Sequence, residues 1–181
     1  KVCPHFHLSL QHASDRVLRR MGRGSNTEGY HQVLKQLRER APEAALGADM
    51  MVGFPGEEKE DFERLLEFVG RSPLDYLHVF TYSPRPGTPA AGWVQVGDKD
   101  KRQRSAALRK ISEERRRGFR ERHLGRELCG IVIKTDARGA SVLTSNYIDV
   151  HIPSCSRRPG DEVKVKITSV ESKRAFGEEA V

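Results

Sequence analysis

The chain has 181 residues, of which 36% are hydrophobic and 31% charged. This composition is typical of a soluble folded protein and excludes a membrane span, because no run approaches the roughly 18 consecutive apolar residues of a spanning helix. The net charge of +7 favours a polyanionic partner such as nucleic acid, although an arginine-rich surface that maintains solubility has the same charge balance.

The first 82 residues alternate strand-like and helix-like segments. Alternating or continuous apolar runs predict strands over His5–Leu10, Ala45–Val52 and Leu77–Tyr82. Apolar spacing at i, i+3, i+4 and i+7, together with capping residues, predicts helices over residues 14–21, 27–41 and 57–71. This order predicts a parallel sheet with crossover helices, in which ligands bind beyond the carboxyl ends of the strands.

The second strand ends in the segment Gly53–Gly56 (GFPG). Its glycines place no side chain between the backbone and a flat ligand, so open peptide groups there would suit an adenine. An ordinary turn into a helix is the alternative, since the sequence has no GxGxxG and no Walker lysine.

Two polar residues follow the other strands. Gln11 suits a ribose hydroxyl or the capping of its own loop. Arg85 lies between two prolines, in a stiff turn that would hold its guanidinium for a carboxylate or simply expose it to solvent.

Other ionisable residues carry no catalytic prediction. His5 and His7 are two residues apart on one strand and are interpreted as satisfied within the fold rather than as metal ligands. The acids after GFPG suit the positive end of a helix dipole, so we predict neither a catalytic residue nor a metal site; these acids are Glu57, Glu58, Glu60 and Asp61.

The cysteines Cys3, Cys129 and Cys155 are far apart, and no CxxC or CxxxCxxC motif is present. No iron–sulfur ligand set is therefore predicted within this sequence. Separated cysteines without a visible secretion signal favour reduced thiols and a cytoplasmic location. The chain begins at Lys1, almost directly before a strand-like segment, which we interpret as the start of a piece of a longer protein.

The character of the sequence changes near residue 123. A charged helix is predicted from Asp98 to about His123. Beyond Gly125, short segments alternate apolar and polar residues and predict a small antiparallel barrel or sandwich with a basic outer face. We predict two domains, residues 1–123 and 124–181.

Several motifs resemble one family. The segments CPHFHLSLQ, SDRVLRRMGR, DMMVGFPGE, EDF and LHVFTYSPRPGTPAA resemble the radical-SAM methylthiotransferases, and SNYIDV and GDEVKVKI resemble their RNA-binding TRAM domain. Within the family, CPHFH and LHVFTYSPRPGTPAA are most similar to the enzymes that act on N6-threonylcarbamoyladenosine in tRNA. The segment LQHAS instead resembles the branch that modifies an aspartate of a ribosomal protein.

The resemblance implies an α/β fold: the parallel half of a radical-SAM partial TIM-like barrel with a basic linking helix, followed by a small all-β, OB-like TRAM barrel. It implies addition of a methylthio group to C2 of N6-threonylcarbamoyladenosine at position 37 of tRNA. The alternatives are a related enzyme for isopentenyl-adenosine or a ribosomal aspartate, and a non-catalytic RNA-binding module.

The resemblance also implies the cofactors and the partner. The cofactors are S-adenosyl-L-methionine and two [4Fe-4S] clusters, whose cysteine ligands are absent from this sequence, so the chain alone is expected to be inactive. Gln11 would contact the ribose, Arg85 the methionine carboxylate, and Val52, Gly53 and Phe54 the adenine. The expected partner is tRNA, bound through Arg126, Lys134, Lys164, Lys166 and Arg174. The fragment is also expected to self-associate through its open sheet edge near Lys1.

Overall fold

The computed structural model describes residues 2–24, 26–171 and 173–180, and its elements follow the predicted order. The first part contains β1 (His5–Gln11), α1 (Asp15–Arg20), α2 (Thr27–Arg40), β2 (Ala45–Val52), α3 (Lys59–Arg71) and β3 (Tyr76–Thr81). A 3₁₀ helix (Pro89–Gly92) and the long helix α4 (Asp98–Glu121) follow. The last part contains β4 (Glu127–Asp136), β5 (Gly139–Thr144), β6 (Asp149–Ile152), β7 (Glu162–Val170) and β8 (Ala175–Glu179). The predicted α/β class is confirmed.

The first three strands form a sheet in the order β1-β2-β3. Strands β2 and β3 are parallel, and their paired positions run from Gly47 with Tyr76 to Val52 with Thr81. One face of the sheet packs against the helices around buried residues that include Leu10, Met50, Leu34, Leu65 and Phe68. The other face, here called the open face, carries side chains that are mostly more exposed: His7, Ser9, Gln11, Asp49, Met51, His78 and Phe80.

Local capping explains where the helices begin. The side chain of Asn26 accepts a hydrogen bond from the Gly29 N–H at 2.8 Å and caps α2. At the start of α3, the Glu58 side chain accepts the backbone N–H of Asp61, and the Asp61 side chain accepts the backbone N–H of Glu58. This reciprocal pair is a capping box. Helix α3 therefore begins at Lys59, two residues later than the apolar spacing predicts.

The last five strands close into a barrel in the order β4-β5-β6-β8-β7. Alternate residues point inward and are buried, including Val132, Val142, Val150, Val165 and Ile167. The prediction of an antiparallel arrangement is wrong for one pair, because Val150 and His151 of β6 pair in parallel with Ala175 and Phe176 of β8. The barrel is therefore mixed. Alternation reveals which side chains point inward but not which strand lies next to which.

Packing divides the chain into two compact units. One comprises residues 6–42 and 46–112, and the other comprises the described residues of 1–5, 43–45 and 113–181. The predicted domain boundary near residue 123 stays a prediction. None of the helices in the described residues combines the length and the apolar character needed to cross a bilayer.

Candidate functional site

A cavity of about 730 Å³ lies at the carboxyl ends of the three parallel strands. This is the end of an α/β sheet at which ligands are expected, and the volume falls within the range of about 300–1,000 Å³ typical of small-molecule sites. Three of the predicted cofactor residues line it: Gln11, Phe54 and Arg85. Among the other lining residues are Arg20, Asp49, Met51, Phe80, Tyr82, Thr88 and Trp93.

Aromatic side chains form one wall of this cavity. The Phe54 ring packs edge-on against Tyr82, with centroids 5.2 Å apart, and against Trp93 at 6.1 Å. The Arg20 guanidinium lies 4.7 Å from the centre of the Trp93 ring. The wall thus presents flat apolar surface beside a delocalised cation, which suits a planar ligand that carries negative or polar groups.

The GFPG bend differs from the open backbone that the sequence led us to expect. Gly53 has φ +76°, and the N–H groups of Gly53 and Phe54 both donate to the carboxylate of Glu57. A Cβ at Gly53 would lie 2.5 Å from Cγ of Lys101, so a lysine stem covers this glycine. Buried N–H groups need partners, and Glu57 already supplies one to each. Adenine contact by Val52 and Gly53 stays a prediction, whereas Phe54 is among the residues that line the cavity.

Glu57 does not behave as a helix-dipole acid. Its side chain is fully buried, and Nη1 of Arg104 donates to it at 2.8 Å. Nε2 of His12, also fully buried, lies 3.9 Å from the same carboxylate. Glu57 therefore couples the bend to α4. Sequence reasoning missed this role because Arg104 is 47 residues away.

Asp61 joins α1 to α3. Its carboxylate accepts hydrogen bonds from the Ser14 hydroxyl at 2.6 Å and from the guanidinium of Arg16. Burial by itself would raise the pKa of Asp61, but the bonds from Arg16, Ser14 and the Glu58 N–H outweigh it and lower this pKa to about 2. This carboxylate is ionised and structural at neutral pH.

The two polar residues predicted at the strand ends reach the same cavity. Gln11 adopts a positive φ of 70°, which turns the chain sharply at the end of β1. Arg85 lies in a turn in which its own carbonyl oxygen accepts a hydrogen bond from the Thr88 hydroxyl at 2.8 Å. Arg85 is exposed. Their roles toward ribose and carboxylate stay predictions.

The two histidines of β1 have different environments. His5 stacks on Tyr147, with ring centroids 4.2 Å apart and planes 10° from parallel. His7 instead bonds through Nε2 to Oδ1 of Asp49 at 2.8 Å and through Nδ1 to the Tyr76 hydroxyl at 3.1 Å. His78 lies beside the same carboxylate, with Nδ1 3.7 Å from Oδ1.

The predicted RNA-binding residues are exposed but do not form one uniform basic patch. Lys164 and Lys166 point outward from β7, opposite Cys129 and Glu127 of β4. Arg126 pairs with Glu43, and Lys134 lies 3.3 Å from Asp136 near the other end of β4. Arg174 lies in the turn before β8.

A second cavity, with a volume of about 650 Å³ and a concave surface, adjoins Lys164. Lys164 lines it together with exposed apolar residues, namely Ile131, Ile133 and Tyr147. Tyr147 is 60% exposed and has a positive φ of 69°. An exposed aromatic ring beside a lysine suits base stacking and phosphate contact. The sequence signal for this residue is the tyrosine in SNYIDV.

Comparison with known proteins identifies the family. Residues 1–69 match the Radical SAM superfamily. A protein of Aquifex aeolicus named threonylcarbamoyladenosine tRNA methylthiotransferase MtaB is 40% identical over 151 residues, covering 83% of this chain and 36% of the relative. The protein of the same name from Treponema pallidum is 38% identical, covering 92% of this chain and 35% of the relative.

A differently named relative matches at a similar level. The tRNA-2-methylthio-N(6)-dimethylallyladenosine synthase of Natranaerobius thermophilus is 37% identical, covering 98% of this chain and 40% of the relative. The chain belongs to the radical-SAM methylthiotransferase family, as its motifs indicated. It spans about two-fifths of the length of these relatives.

The cavity fits the cofactor that this family implies, S-adenosylmethionine with iron–sulfur chemistry. Its volume, aromatic wall and exposed arginine suit a nucleoside attached to an amino acid. The hydroxyl of Tyr82, which lines the cavity, is buried and has no hydrogen-bond partner among the described residues. A buried hydroxyl without a hydrogen-bond partner lowers the stability of the folded protein unless a ligand or water bonds to it.

Proposed function

We propose that this chain is part of a radical-SAM enzyme that adds a methylthio group to C2 of N6-threonylcarbamoyladenosine at position 37 of tRNA. The observation that carries the proposal is the cavity at the ends of β1, β2 and β3, in a chain that matches relatives of that name over most of its length. Those relatives are named for methylthio transfer to threonylcarbamoyladenosine in tRNA.

The cavity is proposed to hold S-adenosylmethionine. Gln11 would bind the ribose and Arg85 the methionine carboxylate. Phe54, which lines the cavity, would bind the adenine. The neighbouring backbone of Val52 and Gly53 is proposed to complete this contact. The bound cofactor supplies the hydrogen-abstracting radical and the methyl group of this reaction. Two [4Fe-4S] clusters are proposed to be held by cysteines outside this sequence, which contains no CxxxCxxC motif.

The barrel is proposed to bind the tRNA backbone. Lys164 and Lys166 are exposed on one strand, and Tyr147 and Lys164 line the adjoining concave surface. Arg126, Lys134 and Arg174 would add phosphate contacts that position the RNA without reading its sequence.

The related reaction on dimethylallyladenosine is the second candidate. The relative of that name covers 98% of this chain, more than the two named for threonylcarbamoyladenosine. Modification of a ribosomal aspartate rests on LQHAS alone, and a non-catalytic RNA-binding module would leave the cavity without a purpose.

Nucleoside analysis of a deletion strain tests the proposal. Its hydrolysed tRNA should contain threonylcarbamoyladenosine but not the methylthio derivative, and the complete gene should restore that derivative. Persistence of the derivative would refute the assignment, and selective loss of the dimethylallyl product would favour the second candidate.

Complementation with variants tests the cavity. Arg85→Ala should fail to restore the product, while Arg40→Ala, an exposed arginine at the end of α2, should restore it fully. If both variants restored the methylthio nucleoside equally, the proposed role of Arg85 in binding the cofactor would be refuted.

A further inference from the structure

Three potential metal ligands meet on the open face of the parallel sheet. His7 of β1, Asp49 of β2 and His78 of β3 place one donor atom each within 4.8 Å of the other two. Asp49 and His78 are directly paired positions of neighbouring strands, so the row they form follows from the register of the sheet. None of these residues was predicted to bind a metal.

The donor set and its spacing match a known kind of site. Two imidazoles and one carboxylate suit borderline first-row divalent ions, and one zinc ion with bonds of about 2.0–2.2 Å holds its ligands roughly 3–4 Å apart. Nε2 of His7 lies 2.8 Å from Oδ1 of Asp49, and Nδ1 of His78 lies 3.7 Å from the same oxygen. Small side-chain rotations would bring all three onto one ion.

A second contact orients the first ligand. Nδ1 of His7 lies 3.1 Å from the hydroxyl of Tyr76, which is a hydrogen-bond partner on the ring nitrogen opposite the ligand atom. Metal-binding histidines nearly always have such a partner, because it holds the ring in place and sets which nitrogen is free to bind. The contact needs Gly47, since a Cβ there would lie 2.1 Å from Cζ of Tyr76.

The three-residue site is accessible to solvent and contains no cysteine. The side chains of His7 and Asp49 are 26% and 21% exposed, and that of His78 is 50% exposed, so an ion has a path of entry. Asp49 also lines the 730 Å³ cavity, so the ion would border the space proposed for the cofactor. No cysteine belongs to the cluster.

We propose that His7 Nε2, Asp49 and His78 bind one divalent transition-metal ion of the zinc type, with Tyr76 orienting His7. Three protein ligands leave at least one coordination position for water or another oxygen or nitrogen donor. When Nε2 of His7 binds the ion, the proton of the neutral imidazole resides on Nδ1, which then donates to the Tyr76 hydroxyl. The inference does not depend on which nucleoside is modified.

Titration of the chelator-treated 181-residue chain with Co²⁺ and Zn²⁺ tests the site. Co²⁺ should bind with a stoichiometry of one and give visible d–d bands without a thiolate charge-transfer band, and Zn²⁺ should displace it. The same bands should persist when Cys3, Cys129 and Cys155 are all replaced by serine. Absence of stoichiometric binding, or bands that vanish with the cysteines, would overturn the proposal.

Variants locate the ion. His78→Ala and Asp49→Asn should weaken binding by at least about tenfold, and Tyr76→Phe by about 10–100-fold, as for other partners of metal-bound histidines. His151→Gln removes a histidine of β6 and should bind as the unaltered chain does. Circular dichroism should show the same fold for His78→Ala, because this side chain is half exposed. Unchanged binding by His78→Ala would overturn the assignment.

Discussion

Glu57 accepts the backbone N–H of Gly53, four residues earlier in the chain, and both residues are buried. The same carboxylate takes a hydrogen bond from Arg104 of α4, so one side chain satisfies the bend after β2 and anchors a helix to it. The glycine-rich segment is therefore held closed by protein groups. Of the residues in this segment, Phe54 lines the cavity.

Replacing Glu57 should destabilise the protein strongly. Glu57→Ala leaves the Gly53 and Phe54 N–H groups and the Arg104 guanidinium without this acceptor, which should cost about 3–5 kcal/mol in the free energy of unfolding. Urea denaturation measures the loss. Glu60→Gln, which alters an exposed acid in the first turn of α3, should change stability by less than about 0.5 kcal/mol. Similar values for the two variants would contradict the proposed anchoring role.

A pair of glycine substitutions should have opposite effects. Gly47→Ala places a Cβ 2.1 Å from the Tyr76 ring and should cost about 1–3 kcal/mol or more, because the ring must move. Gly70→Ala, within α3, meets no atom within 4 Å and should stabilise by about 0.5–1 kcal/mol through helix propensity. Thermal and urea unfolding of both variants would test this, and a stable Gly47→Ala protein would refute the ring contact.

Asp61 should make stability depend on pH below about 5. Its folded pKa of about 2 lies below the ordinary value of 3.8 for an aspartate, so its contribution to stability is fully present above pH 3.8 and is lost as the pH falls toward 2. The shift corresponds to about 2 kcal/mol.

Unfolding free energies measured between pH 6 and pH 2 check this dependence. Asp61→Asn should flatten the acid limb, whereas Glu67→Gln, an exposed acid of the same helix, should leave it unchanged. An acid limb of the same steepness in Asp61→Asn would mean that other carboxylates cause it.

Binding of tRNA should weaken with salt in proportion to the phosphates contacted. If Lys164 and Lys166 each neutralise one phosphate, the double alanine variant should lower the slope of log K against log salt by about 1.5. The matched control is Lys35→Ala with Lys59→Ala, which removes two exposed lysines from α2 and α3. Equal slopes for the two double variants would argue against the proposed RNA face.

The isolated chain should self-associate. Strands β1 and β3 are the edges of the three-stranded sheet, and Phe80 on its open face is 49% exposed. Unpaired edges and exposed apolar groups promote association. Lys1, where we predicted the contact, lies outside the described residues.

Light scattering should give a mass above that of the monomer, and Phe80→Lys should lower it. A monomeric mass over the measured concentrations would end this expectation.

Much of the fold was predictable from local patterns. The strand Ala45–Val52 was predicted to the residue, because an apolar run between turn signals needs no distant information. Helix α2 likewise follows from its apolar stripe and the Asn26 cap. The motif set also indicated the family, since motif order and spacing are properties of the chain alone.

By itself, the sequence determined the strands, the helices, the charge balance and the family. Only the tertiary structure decided which residues of different strands meet. His7 and Asp49 are 42 residues apart, and their contact depends on strand order and register. Alternation assigns a residue to a face but does not set that register. Two other features could not be predicted for the same reason. They are the parallel pairing of β6 with β8 and the hydrogen bonds that join Glu57 to the bend and to Arg104. Such long-range partners are selected by the packing of the whole fold.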